Sequence, residues 1–449
     1  YDDEGNIIDF YDNQVDDYGQ DHYQLHINRL VNKNLQANVS LHYTYGRGFF
    51  EEYWQDQDML FYGLNPVVTG NDTIATTDLV RRKWLDNDFY GAIANLQYTK
   101  NNVTSIFGGG WNQYDGRHFG QVIWARNASQ TEPEHEFYRS NSLKTDWNVF
   151  WKNLYTFHTK TTAFVDVQLR QVNYSSAGKD DDVGEFSFGE TYLFFNPKAG
   201  VTHVISDRKK VYASYAVANR EPNRVDFLYA EPGTVPQSER LQNVEVGFEY
   251  SQPKLRLQAN YFYMYYTNQL VLSGRLDAVG NPIRENIGQS HRTGVELIAD
   301  WKLSKRWTWQ PNITLSQHQN RDFVTQDEED RPINLGNTTI AFSPAVIGAS
   351  NLAFQATKGL NISLFSKYVG EQFLSNAQND RHKLPAYFLN DVRFNYQIHS
   401  EGFPAMRLYV HFQNLMDVKF ANNGYVYFNE PYFYAQAGRN FLLGIQVEL

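Results

Sequence analysis

Strict alternation of apolar and polar residues over long segments is what most constrains the fold of this chain. From Leu35 to Tyr45 one face carries Leu35, Ala37, Val39, Leu41, Tyr43 and Tyr45, and the other carries Gln36, Asn38, Ser40, His42 and Thr44. A period of two puts alternate side chains on opposite faces of a β-strand, so the segment predicts a strand with one apolar face. The pattern returns in Leu255–Tyr265, where Leu255, Leu257, Ala259, Tyr261, Tyr263 and Tyr265 stand against Arg256, Gln258 and Asn260. It returns again in Met406, Leu408, Val410 and Phe412, and in the terminal Phe441, Leu443, Ile445, Val447 and Leu449. No helical stripe of comparable length accompanies these segments, and an all-β fold follows.

Punctuation sets the architecture. Short polar turns fall near Lys33, Lys100, Leu154, Arg208, Gln252, Ser304, Lys358 and Gly402, at a mean interval near 53 residues. Long polar and aromatic stretches alternate with them at 46–87, 115–140, 175–190, 220–240, 267–285, 320–340, 370–385 and 415–433. Each period therefore predicts two strands of about ten to fifteen residues, one short turn and one long loop. No linker interrupts the series, so residues 1–449 are expected to form one domain. A propeller blade would need four short strands and a recurring blade motif, which are absent. A transmembrane barrel has two strands per period, short periplasmic turns and long outside loops. The tyrosines decide between them. Tyr43, Tyr45, Tyr261, Tyr263 and Tyr265 gather at the loop end of their apolar faces, where an aromatic girdle meets lipid headgroups. The core of a soluble sandwich has no need of tyrosines at one height. Eight turns with two strands each and one terminal strand predict an antiparallel transmembrane β-barrel wall of about 17 strands.

Composition narrows the function. The 449 residues carry 40 Lys+Arg against 50 Asp+Glu, a net −10, which argues against a phosphate-tracking nucleic-acid binder. Cysteine is absent, removing disulfides, Cys-based zinc sites and a Cys nucleophile. Aromatic residues number 71 and 42% of the chain is apolar, too much to remain solvated as a disordered chain. No apolar run is long enough for a transmembrane helix, but alternating strands cross a membrane without one. Residue 1 is Tyr with no leader pattern after it, so the start is expected to be processed or internal to a longer protein.

Particular stretches add to this reading: WNQYDGRHFGQVIWAR at 111–126, NPKAG at 196–200, YASYAVANREPNRVDF at 212–227, NIGQSHRTGVELIADW at 286–301, FQNLMD at 412–417 and GRNFLLGIQVEL at 438–449. Together, and in this order, they resemble the barrel of a TonB-dependent outer-membrane receptor of the kind common in Bacteroidota. The resemblance implies a 22-stranded barrel, of which this chain would be a partial barrel domain. The family's plug domain and energy-coupling segment have no counterpart here. The family usually closes on an aromatic residue, read with the last strand as the assembly signal, whereas this strand runs Phe441, Leu443, Ile445, Val447, Leu449. The implied function is energy-coupled uptake of a scarce nutrient chelate of the iron-siderophore, haem or cobalamin type. The implied partners are the outer-membrane bilayer, the periplasmic TonB complex acting through an N-terminal region, and a surface lipoprotein. A passive porin-like channel and an outer-membrane enzyme are the alternatives.

Catalytic patterns come up short, and no enzyme is expected. Gly46-Arg47-Gly48 lacks the following glycine of a dinucleotide motif and predicts a loop. Gly108, Gly109 and Gly110 fall in a strand pattern, where glycine marks bending or close approach. His22 and His26 are four apart, but on a strand that spacing makes no zinc pair and faces both toward a wet lumen. No resident cofactor is implied. The acidic runs Asp180–Asp182 and Asp327–Asp330 suit either a solvated loop or a loop calcium site. Ligand contacts are expected from long loops, at His118, Trp124 and Arg126 in one and Arg220 and Arg224 in another. Arginine forks onto anionic chelates and tryptophan offers a flat face. Against that, Trp124 would serve as a girdle residue, and Arg220 and Arg224 as partners of carboxylates such as Glu221 and Asp226.

Overall fold

The computed structural model describes residues 11–128, 131–230, 233–277, 280–326, 331–398 and 405–448. Seventeen long strands form the wall. They are β1 (Asp16–Asn32), β2 (Leu35–Asp58), β3 (Thr76–Lys100), β4 (Val103–Ala125), β5 (His135–Phe157), β6 (Thr161–Asp180), β7 (Gly184–Ser206), β8 (Lys209–Arg220) and β9 (Glu239–Gln252). There follow β10 (Leu255–Leu276), β11 (Pro282–Lys302), β12 (Trp307–Arg321), β13 (Val346–Gln355), β14 (Leu360–Val369), β15 (Tyr387–Ile398), β16 (Ala405–Gln413) and β17 (Asn440–Glu448). With the two-residue Thr338–Thr339, which pairs with the top of β12, they belong to one 18-stranded sheet. The only helix among the described residues is α1 (Arg224–Leu228). The expected all-β antiparallel architecture and strand number are both present.

The chain forms two compact units, one of residues 1–153, 167–195 and 227–229, the other of 154–166, 196–226 and 230–449. In the first, β1 to β4 pair antiparallel in sequence order. In the second, the same up-and-down pairing runs from β7 through β17.

Register shows that the alternating faces are shared from strand to strand. Val39, Leu41 and Tyr43 stand opposite Ile27, Leu25 and Tyr23 on one side and Ala94, Ala92 and Tyr90 on the other. Phe441, Leu443 and Ile445 likewise oppose Phe412, Val410 and Leu408. Leu449 lies outside the described residues. The opposite face is polar: His22 bonds the Thr44 hydroxyl at 3.0 Å and His26 the Ser40 hydroxyl at 2.9 Å.

Three expectations need correction. Six of the short turns fall where predicted, and the one near Gly402 lies outside the described residues. The turn expected at Leu154 is instead at residues 158–160, and Leu154 is inside β5. His158 and Thr159 both adopt positive φ there (48° and 63°), a reversal made without the glycine or proline that would announce it. Second, several strands run 20 to 25 residues, well beyond ten to fifteen. Third, Gly46-Arg47-Gly48 is strand, not loop. Its glycines admit a neighbouring chain, since a Cβ at Gly48 would come 2.3 Å from the Asp17 carbonyl oxygen. Pairing continues above the level where apolar alternation stops, because there both faces meet water or folded loops.

Burial follows from the same geometry. A wall one strand thick buries few large side chains: along β2 and β3 the apolar Val39, Leu41, Ile93 and Leu96 stay exposed. The buried apolar clusters form instead where loops fold over strand ends. Met59, Tyr62 and Leu64 of the β2–β3 loop pack on Leu79, Val122, Phe137 and Tyr138. A second cluster joins Val271, Ile287, Phe323 and Ile340, and a third Val172, Tyr174 and Phe194.

Candidate functional site

At the loop end of β3 and β4, the face opposite the apolar one carries a charged cluster. Arg81 donates to Glu52 through Nε (3.1 Å) and through its terminal nitrogen (3.0 Å), and donates to the Tyr62 hydroxyl at 2.9 Å. Its guanidinium lies 4.4 Å from the Trp54 ring centre. Lys83 pairs with Asp181, which also lies 3.9 Å from Arg81. The acidic run Asp180–Asp182 is thus bound into the protein: Asp181 serves two buried cations and Asp182 accepts from the Tyr229 hydroxyl. Asp327–Asp330 lie outside the described residues. Among the described residues, no cluster of three or more His, Asp or Glu is placed to hold a metal ion.

His118 sits in β4 opposite Leu85, on the same face as Lys83, not in a loop as expected. Trp124 is also in β4, opposite Val80 and 48% exposed. It is thirteen residues along the strand from Trp111, about 43 Å. Arg126 follows the strand and donates to Asp78 at 2.6 Å. Asp78 is buried, which alone would raise its pKa. Hydrogen bonds from the Asp56 N–H (3.0 Å) and the Tyr53 hydroxyl (2.7 Å), with the Arg126 charge, outweigh burial and hold its carboxyl below the usual range.

Arg220 ends β8 and donates to Glu239 at 3.1 Å, a different carboxylate from the Glu221 and Asp226 foreseen for it. Arg224 opens α1. Asn223 and Asp226 form a reciprocal cap: the Asp226 N–H donates to the Asn223 side chain at 3.0 Å, and the Asn223 N–H to Asp226 at 2.7 Å. The cation fully engaged with Asp226 is Arg284, through two bonds of 3.0 Å each. The pairing spans 58 residues, and no local signal in the sequence points to it.

A further surface escaped sequence reading. The hairpin of Ala421–Tyr427 and Glu430–Ala435 turns on Phe428 and Asn429, both at positive φ (45° and 61°). Holding a phenylalanine there costs on the order of 1–3 kcal/mol, and the residue is 85% exposed. Tyr425 stacks on Tyr432 at 5.2 Å and lies 5.7 Å from Tyr434, and Tyr427 meets Phe428 at 4.4 Å. On the other face Gly424 packs against Leu374. The run YVYFNEPYFY is visible in the sequence; that its tyrosines share one face is a matter of register.

A model of the family described as TonB dependent receptor-like, beta-barrel, matches residues 1–415. The chain belongs to that family. As a TonB-dependent receptor barrel it lies in the outer membrane of Gram-negative bacteria, and its family is one of transport receptors. Solved structures share the receptor fold at low identity. The ferric-catecholate import receptor Fiu of E. coli K12 superposes with TM-score 0.68 at 14% identity, covering 97% of this chain and 65% of that one. The siderophore receptor PiuA of Acinetobacter baumannii gives 0.69 at 13%, covering 96% and 65%. The pesticin receptor of Yersinia enterocolitica is 35% identical over 75 residues, 17% of this receptor chain and 11% of that protein. This chain thus spans less than two thirds of the length of these relatives.

Proposed function

We propose that the protein bearing this wall takes up a scarce nutrient chelate, of the iron-siderophore, haem or cobalamin type, by energy-coupled transport. The carrying observation is the family match over residues 1–415; Fiu and PiuA, of like fold, are ferric-catecholate and siderophore receptors by name. In this reading residues 1–449 are a partial barrel domain with no resident cofactor. Among the described residues β1 bonds β2 alone and β17 bonds β16 alone. A strand edge left open in lipid strands its backbone groups, so about five further strands would complete a barrel of 22. The periplasmic TonB complex is the partner that energy coupling calls for, and a surface lipoprotein is a further candidate partner.

Cargo contacts are assigned to His118, Trp124, Arg126, Arg220 and Arg224, joined by Tyr427, Phe428 and Tyr432 of the aromatic hairpin. Tyr43, Tyr45, Tyr261, Tyr263 and Tyr265 are assigned to the outer girdle, and Phe441 to Leu449 to assembly. Arg126 and Arg220 already hold carboxylates, so they present a half-neutralised cation to a ligand. The test is uptake of ferric siderophores, haem and cobalamin by cells carrying the full-length receptor, with and without TonB. Uptake of one chelate only when TonB is present is the expected result; equal uptake without TonB would select a passive channel. Trp124→Ala with Arg126→Ala should weaken binding of that chelate at normal surface expression.

A further inference from the structure

The apolar outer face of β9 to β15 carries a groove of about 650 Å³. Its origin is legible in the register. One cross-strand row consists of Trp301, Trp309, Leu352 and Leu364, and a parallel row four residues further along contains Leu297, Ile313 and Tyr368. Between these ridges the intervening positions are all small: Ala299, Pro311, Ser350 and Ser366. A valley of short side chains between two bulky rows runs across the strands. From Phe248 in β9 to Phe388 in β15 it crosses six spacings of ~4.8 Å, about 29 Å.

The valley offers its occupant carbon only. Its two hydroxyls are already used: Ser350 accepts from the Trp309 indole at 2.8 Å, and Ser366 donates to Asn390 at 2.7 Å. Gly348, opposite Ile313 and Tyr368, leaves a gap in the second ridge. The wall does not force that gap, since a Cβ there would meet nothing closer than 3.7 Å. An apolar trough on the lipid-facing surface holds no water, which would find no polar partner.

Charge marks one end. Leu257 lines the groove two residues into β10, beside the turn that contains Lys254. The adjoining β11–β12 turn contains Lys305 and Arg306. All three are exposed and paired with no carboxylate among the described residues. These are the short turns, which face the periplasm in this family.

We propose that the groove is a binding site for a glycerophospholipid of the periplasmic leaflet, with one acyl chain along the valley and the phosphate at Lys254, Lys305 and Arg306. The site depends only on the membrane location of the wall and is independent of the cargo. The experiment is native mass spectrometry of the detergent-purified full-length receptor, titrated with phosphatidylglycerol. One lipid should persist on the unmodified protein. Ala299→Leu with Gly348→Leu fills the valley and should lower the retained fraction at least tenfold. Lys305→Glu with Arg306→Glu, outside the lipid belt, should lower it about threefold or more and serves even if the filled variant does not fold. Unchanged retention in a filled variant that keeps normal heat-modifiability would overturn the proposal, as would retention of lipopolysaccharide in place of the phospholipid, or of no lipid at all.

Discussion

Val39 and Ser40 are neighbours in β2 whose side chains meet different solvents, and an arginine at each separates the two faces. Val39 lies between Ile27 and Ala94 on the apolar face, while Ser40 shares a hydrogen bond with His26 on the polar one. Val39 is four residues into its strand, ~13 Å along it and ~10 Å along the membrane normal at a tilt near 40°. In a lipid-facing band ~25 Å tall that is close to the midplane, where an outward arginine costs about 2–4 kcal/mol. Ser40→Arg loses one hydrogen bond, about 1 kcal/mol, and its guanidinium enters the wet lumen. A difference of about 1–3 kcal/mol between the two corresponds to roughly 5- to 150-fold in the folding equilibrium. Urea-titrated folding of the full-length receptor into lipid vesicles, read by heat-modifiability on gels, measures it. Equal destabilisation by the two arginines would refute the assignment of the Val39 face to lipid.

Arg284→Ala should leave the Asp226 carboxylate buried without the arginine that bonds both its oxygens, at about 3–5 kcal/mol. Hydrogen exchange should show residues 223–228 deprotected while the wall strands keep their protection; unaltered exchange there would dismiss the pair as an anchor. Acid should loosen the loop end of β2 and β3. Glu51, like Asp78, is held below its ordinary pKa: burial opposes this, but Tyr11, Arg82 and Asn13 all bond the carboxylate. Carboxylates depressed on folding stabilise fully above their unfolded values, near pH 4, and lose that contribution as pH falls through the folded values. Proteolysis at 59–75 should therefore rise below about pH 4, and an Asp78→Asn variant should be open already at pH 7; a loop equally resistant at both pH values would count against this. Asn376 bonds the Leu272 carbonyl, Glu285, Asn320 and the Ala341 amide at once. Asn376→Ala should cost about 1–3 kcal/mol and expose residues 370–386 to protease, and a variant as resistant as the parent would show the loop is held elsewhere.

Much of the wall is legible in the sequence because alternation reports solvent locally. Residues Leu35 to Tyr45 name their two faces without reference to any other strand, and evenly spaced turns count the strands. Where both faces meet water the report falls silent, which is why Gly46-Arg47-Gly48, His118 and Trp124 looked like loop although they lie in paired strands. The choice of partners was beyond sequence reading for a different reason. Arg220 pairs with Glu239 and Asp226 with Arg284, and the valley at Ala299, Pro311, Ser350 and Ser366 draws its four residues from four strands. Each depends on register, and register is set by hydrogen bonds between strands that only the folded sheet brings side by side.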